Sequence, residues 1–305
     1  MFDLIIIGGG PAGITAAVYA ARKNMNFILI TKDIGGQASL SGEIDNYTGF
    51  QLVSGPELVE KFQEHMKKYN IKVYENEEVR DIEKLKNNIR IKTNKNKYET
   101  KTVIIASGKK SRELNVSGEI AYKNKGVTYC ATCDGPLFAG KDVAVIGGGN
   151  SALDAVLQMV RIAHKVYVIN IQSKLAGDPV MQEKIKKDKK VEVLNDSQVL
   201  EIMGEKFVSG IKIQTNGKEK ILKLQGVFVE IGLVPNTGFA GIIDKNEKGE
   251  IKVNSSAETN IKCIFAAGDV TDVPEKQIII AAGDGAKAVL SAFRFLGIMK
   301  DNCWE

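Results

Sequence analysis

Two short glycine turns, placed alike in two halves of the chain, constrain the fold more than any other feature. Phe2 to Ile7 is an apolar run that ends in Gly8-Gly9-Gly10-Pro11-Ala12-Gly13; Ile14 to Lys23 follows with helical composition, then Phe27-Ile28-Leu29-Ile30. Asp142 to Ile146, Gly147-Gly148-Gly149-Asn150-Ser151-Ala152, Leu153 to Ala163 and Val166 to Asn170 repeat that order. Strand, glycine turn, helix, strand is the plan of a dinucleotide-binding unit. Its first small residue makes the turn, the second lets a pyrophosphate approach the backbone, and the third packs helix on strand. Gly8, Gly10 and Gly13 complete GxGxxG, and Gly147, Gly149 and Ala152 complete GxGxxA. Phosphates are expected at each helix N-terminus. The expected fold class is α/β, with two Rossmann-like three-layer domains, and 305 residues are enough for both.

Behind each unit the pattern changes to short strands with polar turns, from Lys72 to Lys101 and again from Glu201 to Lys223, which predicts small antiparallel sheets. Ser54-Gly55-Pro56-Glu57 predicts a capped helix start, and Gln277 to Leu296 a long helix with an apolar face. Val103-Ile104-Ile105-Ala106-Ser107-Gly108 is a buried strand ending in small residues, where a flat ligand can lie close to the backbone. Ile264-Phe265-Ala266-Ala267-Gly268-Asp269 is another, whose carboxylate would emerge where a polyhydroxyl chain could be held. Gly35-Gly36-Gln37 and Asp45-Asn46-Tyr47 are turn-rich and polar enough to touch a cofactor. The place of a ribose-reading acid after the second strand is taken by Thr31, with Asp33 just beyond.

Cys130-Ala131-Thr132-Cys133-Asp134-Gly135 precedes the second glycine turn. A Cys-x-x-Cys pair at a helix start can place one sulfur toward a partner and the other inward, with the thiolate as nucleophile. Asp134 is a candidate proton donor or acceptor for that cycle. Half of a zinc site is the bland alternative, but Cys263, Cys303, His65 and His164 form no second ligand pair.

The net charge of +5 comes from lysines scattered through Asn-rich turns, without the interleaved aromatics of a single-strand binder, so no nucleic-acid surface is expected. No apolar stretch is long enough to span a bilayer, and Met1-Phe2-Asp3 enters a strand without a signal-peptide pattern. A cytoplasmic protein is expected, where a cycling dithiol suits the reducing compartment. Cys303-Trp304 reads as a frayed terminus.

Across essentially the whole chain, these motifs together resemble the low-molecular-weight thioredoxin reductases. The resemblance implies that GGGPAG and AAGD hold FAD, that CATCDG is the active disulfide, and that GGGNSA opens a pyridine-nucleotide domain inserted into the first. The FAD domain would comprise 1–113 and 241–305, with 114–240 inserted. Catalytic residues would be Cys130, attacking the disulfide of a thioredoxin-like protein, Cys133, exchanging with the flavin, and Asp134, handling protons. Cofactor-binding residues would be Gly8, Gly10, Pro11, Ala12, Gly13, Gly36, Gln37, Asn46, Ala106, Gly108, Gly268, Asp269, Gln277 and Ile278. In the inserted domain they would be Gly147, Gly149, Asn150 and Ala152. The resemblance also implies a homodimer with a swivelling inserted domain. Phe228 to Thr237 and Lys276 to Ala281 are similar to the flavoprotein of alkyl hydroperoxide reductase, whose N-terminal thioredoxin-like domains have no counterpart in these residues.

One departure bears on the electron donor. NADPH-using members carry His-Arg-Arg and a further Arg after the second strand of the inserted domain, and NADH-using relatives carry an acid there. Here stand Asn170-Ile171-Gln172 and Ala176. Either Asn170 hydrogen-bonds the ribose and NADPH or NADH remains the donor, or reduced ferredoxin supplies the electrons, as in one branch of the family.

Overall fold

The computed structural model describes residues 1–41 and 43–298, so Cys303 and Trp304 lie outside the described residues. The chain forms two compact units, Met1–Lys110 with the chain from Val234 onward, and Ser111–Leu233.

The first unit is built on a sheet in which Val73–Tyr74, Phe27–Ile34, Phe2–Gly9 and Lys97–Ile105 lie side by side, all parallel. Leu4 and Ile6 enter one core with Leu29, Ile104 and the alanines of helix Pro11–Arg22, whereas Ile5 and Ile7 enter another with Ile28, Ile30 and Ile264. Strands buried on both faces explain why the opening run is continuously apolar instead of alternating. The predicted antiparallel sheet behind this unit is not separate. Lys97–Ile105 is long enough to pair antiparallel with Ile89–Thr93 along its first half and parallel with Ile264–Ala266 along its second, so one sheet holds both. Val79–Lys84 continues the meander.

Ser54 caps helix Gly55–Lys68 as the sequence predicts, with the Glu57 carboxylate returning to the Ser54 N–H at 2.9 Å. The predicted long helix runs from Ile278 to Ile298. Its small residues let it close on helix Pro11–Arg22, and a Cβ on Gly285 would stand 2.0 Å from the Ala12 carbonyl oxygen.

The second unit has a parallel sheet in the order Val127–Thr128, Gly226–Val229, Asp142–Ile146, Lys165–Ile169, Val191–Leu194. From Asp142–Ile146 the chain steps outward through two strands, then crosses back to Gly226–Val229 on the other side. The topological switch point therefore lies between Asp142–Ile146 and Gly226–Val229, and a ligand belongs beyond the carboxyl ends of those strands. Ser197–Gly204, Val208–Thr215 and Lys218–Lys223 form the predicted meander, turning at Asn216-Gly217 with φ of 49° and 75°.

The crossings between units fall at Lys110/Ser111 and Leu233/Val234, where the sequence reading put 113/114 and 240/241. Their position follows from pairing: Lys109–Ser111 and Leu233–Pro235 form a two-stranded ribbon.

Candidate functional site

Cys130 and Cys133 are joined as a disulfide in the second unit. Strand Val127–Thr128 delivers Cys130 to the N-cap of the short helix Ala131–Asp134, which is anchored by buried Ala131 in a core with Val143 and Phe228. The Cys133 N–H points at Cys130 Sγ at 3.0 Å. A donor there favours the thiolate once the bond is reduced. Cys133 is exposed and Cys130 half-buried.

The carboxylate of Asp134 accepts from the Thr128 hydroxyl, and Thr128 Oγ1 accepts the Cys130 N–H at 3.1 Å. Thr128 thus ties the candidate acid to the first cysteine, a role sequence reasoning missed. Its signal was the Thr two residues ahead of an N–H that no strand partner takes, the arrangement of a side-chain turn. Thr132, between the cysteines, donates to Gln158 Oε1 at 3.0 Å, and Gln158 donates to Asp154 Oδ2 at 2.7 Å. Tyr129 donates to Glu119 Oε1 at 2.7 Å, while the same buried carboxylate accepts the N–H groups of Leu114 and Asn115. Burial and that bond hold the Tyr129 hydroxyl well above its ordinary pKa.

In the same unit, Gly147, Gly149, Asn150 and Ala152 lie at the switch point. A Cβ on Gly147 would stand 2.2 Å from the Glu230 carbonyl oxygen, but one on Gly149 would meet nothing within 4 Å. The turn is thus tight where strand meets helix and bare where a phosphate would approach. Asn150 Oδ1 accepts the Asp178 N–H at 2.7 Å and so holds the following loop. Glu230 ends the neighbouring strand, half-buried, with burial first and the charge of Asp154 second pushing its carboxyl up to about 8. It was not among the sequence candidates.

Asn170 is buried, and its side-chain amide donates to Gln172 O, Lys174 O and Asn195 Oδ1 at 2.9, 3.0 and 2.9 Å. Its donors are spent on the loop. Toward a ribose hydroxyl Asn170 keeps only the acceptor Oδ1, which also takes the Gln172 N–H at 3.3 Å.

The candidate flavin residues lie in the first unit and gather in two places. Gly8, Gly10, Pro11, Ala12 and Gly13 occupy the end of the first strand and the start of its helix; Gly36, Ala106, Gly108, Gly268 and Asp269 belong to the turn and strand ends around them. A Cβ on Gly13 would stand 1.8 Å from Gly8 O, and one on Gly10 or Gly108 would meet nothing within 4 Å. Asn46 Nδ2 donates to Gln277 Oε1 at 3.0 Å, which joins two residues distant in sequence, and Ile278 packs against the same small core of Ile44, Val53 and Leu58 as Tyr47 does. Gln37 is half-buried on the short helix Gly36–Leu40. Thr31 is buried and donates to Asp33 O, so its hydroxyl is committed within its own strand. Burial raises the Asp269 carboxyl against the opposing charges of Lys276 and Lys109.

The family model for pyridine nucleotide-disulphide oxidoreductases matches residues 2–285. The chain belongs to that family. An NADH dehydrogenase of Bacillus subtilis (strain 168) is 42% identical over 305 residues, covering 97% of this chain and 58% of its own length. One subunit of the alkyl hydroperoxide reductase of Staphylococcus epidermidis is 40% identical over 299 residues, covering 97% of this chain and 59% of its own. The chain thus spans under two thirds of the length of these relatives. The crystal structure of Lactococcus lactis thioredoxin reductase superposes with a TM-score of 0.91 at 34% identity, covering 98% of this chain and all of that one. The expected Rossmann-like organisation is shared with that neighbour.

FAD is the cofactor of this oxidoreductase family member. Its residues fit the group: the turn at Gly10 is bare, and buried Asp284 carries an Oδ2 with no hydrogen-bond partner among the described residues. An unpaired buried carboxylate oxygen in the long helix, close enough to Asp269 to act on its charge, suits the hydroxyls of a ribityl chain.

Proposed function

We propose that this chain is a FAD-dependent reductase of protein disulfides that takes electrons from NADPH or NADH and delivers them through Cys130 and Cys133 to a thioredoxin-like protein. The observation that carries it is the Cys130–Cys133 disulfide on a helix start, in the unit that also holds the second glycine turn. When bound, FAD supplies two-electron exchange with the Cys130–Cys133 bond. The reduced pair then acts on the partner. One thiolate attacks a sulfur of the partner's disulfide and forms a mixed disulfide; the other thiol attacks that bond, restores Cys130–Cys133, and leaves the partner with two thiols. Asp134, oriented by Thr128, moves the protons.

Cys130 is assigned to the partner and Cys133 to the flavin by family resemblance. The Cys133 N–H aimed at Cys130 Sγ supports Cys130 as the nucleophile, whereas the exposure of Cys133 favours the opposite order. A cycling dithiol suits the cytoplasm, and the homodimer rests on the resemblance alone.

The commitment of Asn170 favours a second reading of the donor. The end of that strand offers a ribose neither a carboxylate nor a free amide N–H, and reduced ferredoxin would need neither.

Anaerobic addition of NADH, NADPH and reduced ferredoxin to the flavin-loaded protein, followed by bleaching of the flavin band, separates these donors. Cys133→Ser and Cys130→Ser are each expected to keep the flavin and abolish reduction of a thioredoxin-like disulfide. The variant that retains the attacking thiol should trap the partner covalently. Full protein-disulfide reduction by either variant would sink the dithiol reading.

A further inference from the structure

Glu230 is a half-buried titratable group that the dithiol cycle leaves unused. It stands at the carboxyl end of Gly226–Val229, whose partner Asp142–Ile146 runs into the Gly147–Gly149 turn, with the Glu230 N–H donating to Ile146 O at 2.8 Å. These two strands bound the switch point, so the end of Gly226–Val229 is a wall of the crevice where a dinucleotide lies. The Glu230 carbonyl closes against Gly147 itself. Its carboxyl makes no hydrogen bond among the described residues and is half-buried, so it is available to a ligand.

We propose that Glu230 is a positioning residue of the nucleotide crevice, its carboxyl donating a hydrogen bond to an oxygen of the pyridine nucleotide bound across the Gly147–Gly149 turn. The inference rests on a pyridine nucleotide being the donor. Only the protonated acid has a hydrogen to donate, and a carboxylate there would repel the nucleotide's phosphates. With its carboxyl raised to about 8, Glu230 keeps that proton at neutral pH. Asp154 on helix Asn150–Met159 is the charged group that bears on it. The flanking strands end at Ile146, which pairs with Val229, and at Thr128, which pairs with Phe228; neither ionises in this range, and past Thr128 the chain runs through Tyr129 to Cys130, held in the disulfide. Binding is therefore favoured below the Glu230 pKa and lost as pH rises through it.

The test is calorimetric titration of the oxidised, FAD-loaded protein with NAD+ and with NADP+ between pH 7 and 9. Both nucleotides are already oxidised and the cysteines are paired, so neither hydride transfer nor thiol titration intervenes. The wild type is expected to bind its nucleotide about tenfold more weakly at pH 9 than at pH 7. Glu230→Gln, which keeps a neutral donor, should match the wild type at pH 7 within about twofold and lose the pH dependence. Glu230→Ala should bind weakly throughout, with its flavin spectrum unchanged. A flat wild-type profile, or a Glu230→Gln profile that follows the wild type, overturns the assignment to Glu230 while leaving the nucleotide reading standing. Absence of binding by either nucleotide at every pH overturns both.

Discussion

Gly10 and Gly13 sit three positions apart and answer to different demands. Gly13 is required by the chain itself, since a Cβ there would stand 1.8 Å from Gly8 O; Gly10 faces open space. Gly13→Ala is expected to cost about 1–3 kcal/mol or more of stability through overpacking. Gly10→Ala should fold with unchanged thermal stability in the flavin-free state and show weakened FAD affinity. Thermal unfolding and flavin titration of the two variants read these outcomes separately. Both glycines were legible in the sequence, because the glycine motif encodes local backbone needs. Glu230 was not, because its neighbours Ile146 and Gly147 are set by strand order in the parallel sheet, which leaves no mark in local spacing. Thr128 and Glu119 have partners close in sequence, Cys130 and Asp134 for the one and Leu114, Asn115 and Tyr129 for the other, and only the Thr128 turn left a local signal. Asn170 shows the converse. Its position was read correctly, but its three donor contacts to Gln172, Lys174 and Asn195 depend on how the loop folds back.

Strand Lys109–Ser111 is pinned by an ion cluster around buried Glu250. Lys109 Nζ meets Glu250 Oε1 at 2.9 Å, Lys276 Nζ approaches the same oxygen at 3.4 Å, and Asn246 donates to Oε2 at 2.7 Å. Burial alone would raise the Glu250 carboxyl, but the bonds from Asn246 and Lys109 and the charges of both lysines bring it from 4.5 down to about 2. A carboxyl whose folded pKa is depressed stabilises the fold above its unfolded pKa, and that stability is lost as pH falls through the folded value. The window here runs from about pH 4.5 down to about 2. Glu250→Gln should lower the melting temperature at pH 7 and show a smaller further drop between pH 5 and pH 2.5 than the wild type, as followed by circular dichroism. An equal acid-induced drop in both proteins would count against the cluster as a stabilising element. At this scale the sequence announced the elements but not their sharing. Lys97–Ile105 reads as two strands because its first half alternates and its second is wholly apolar, and only the fold shows one strand serving two kinds of partner.

Of the two units, Ser111–Leu233 is continuous in sequence and has its own cores, one around Leu153, Val168 and Phe228 and another around Ile146, Ile211 and Val227. Produced alone, this segment is expected to melt cooperatively, form the Cys130–Cys133 bond in air, and carry no flavin colour. A non-cooperative melt of the isolated segment would show that its cores depend on the rest of the chain. The α/β class and the doubled dinucleotide plan were legible because each glycine turn is a local signal flanked by apolar runs. The points of crossing were less so, since the pairing of Lys109–Ser111 with Leu233–Pro235 joins segments that no local window spans. That ribbon has a consequence for chain statistics. With the two ends of the excursion fixed side by side, the closure entropy of the host grows only logarithmically with the length inserted between them, by about 0.6 kcal/mol for each doubling. The host fold can thus carry an excursion of domain length for little more than it would cost to carry a short loop, and lengthening or replacing that excursion is thermodynamically cheap as long as the ribbon stays paired.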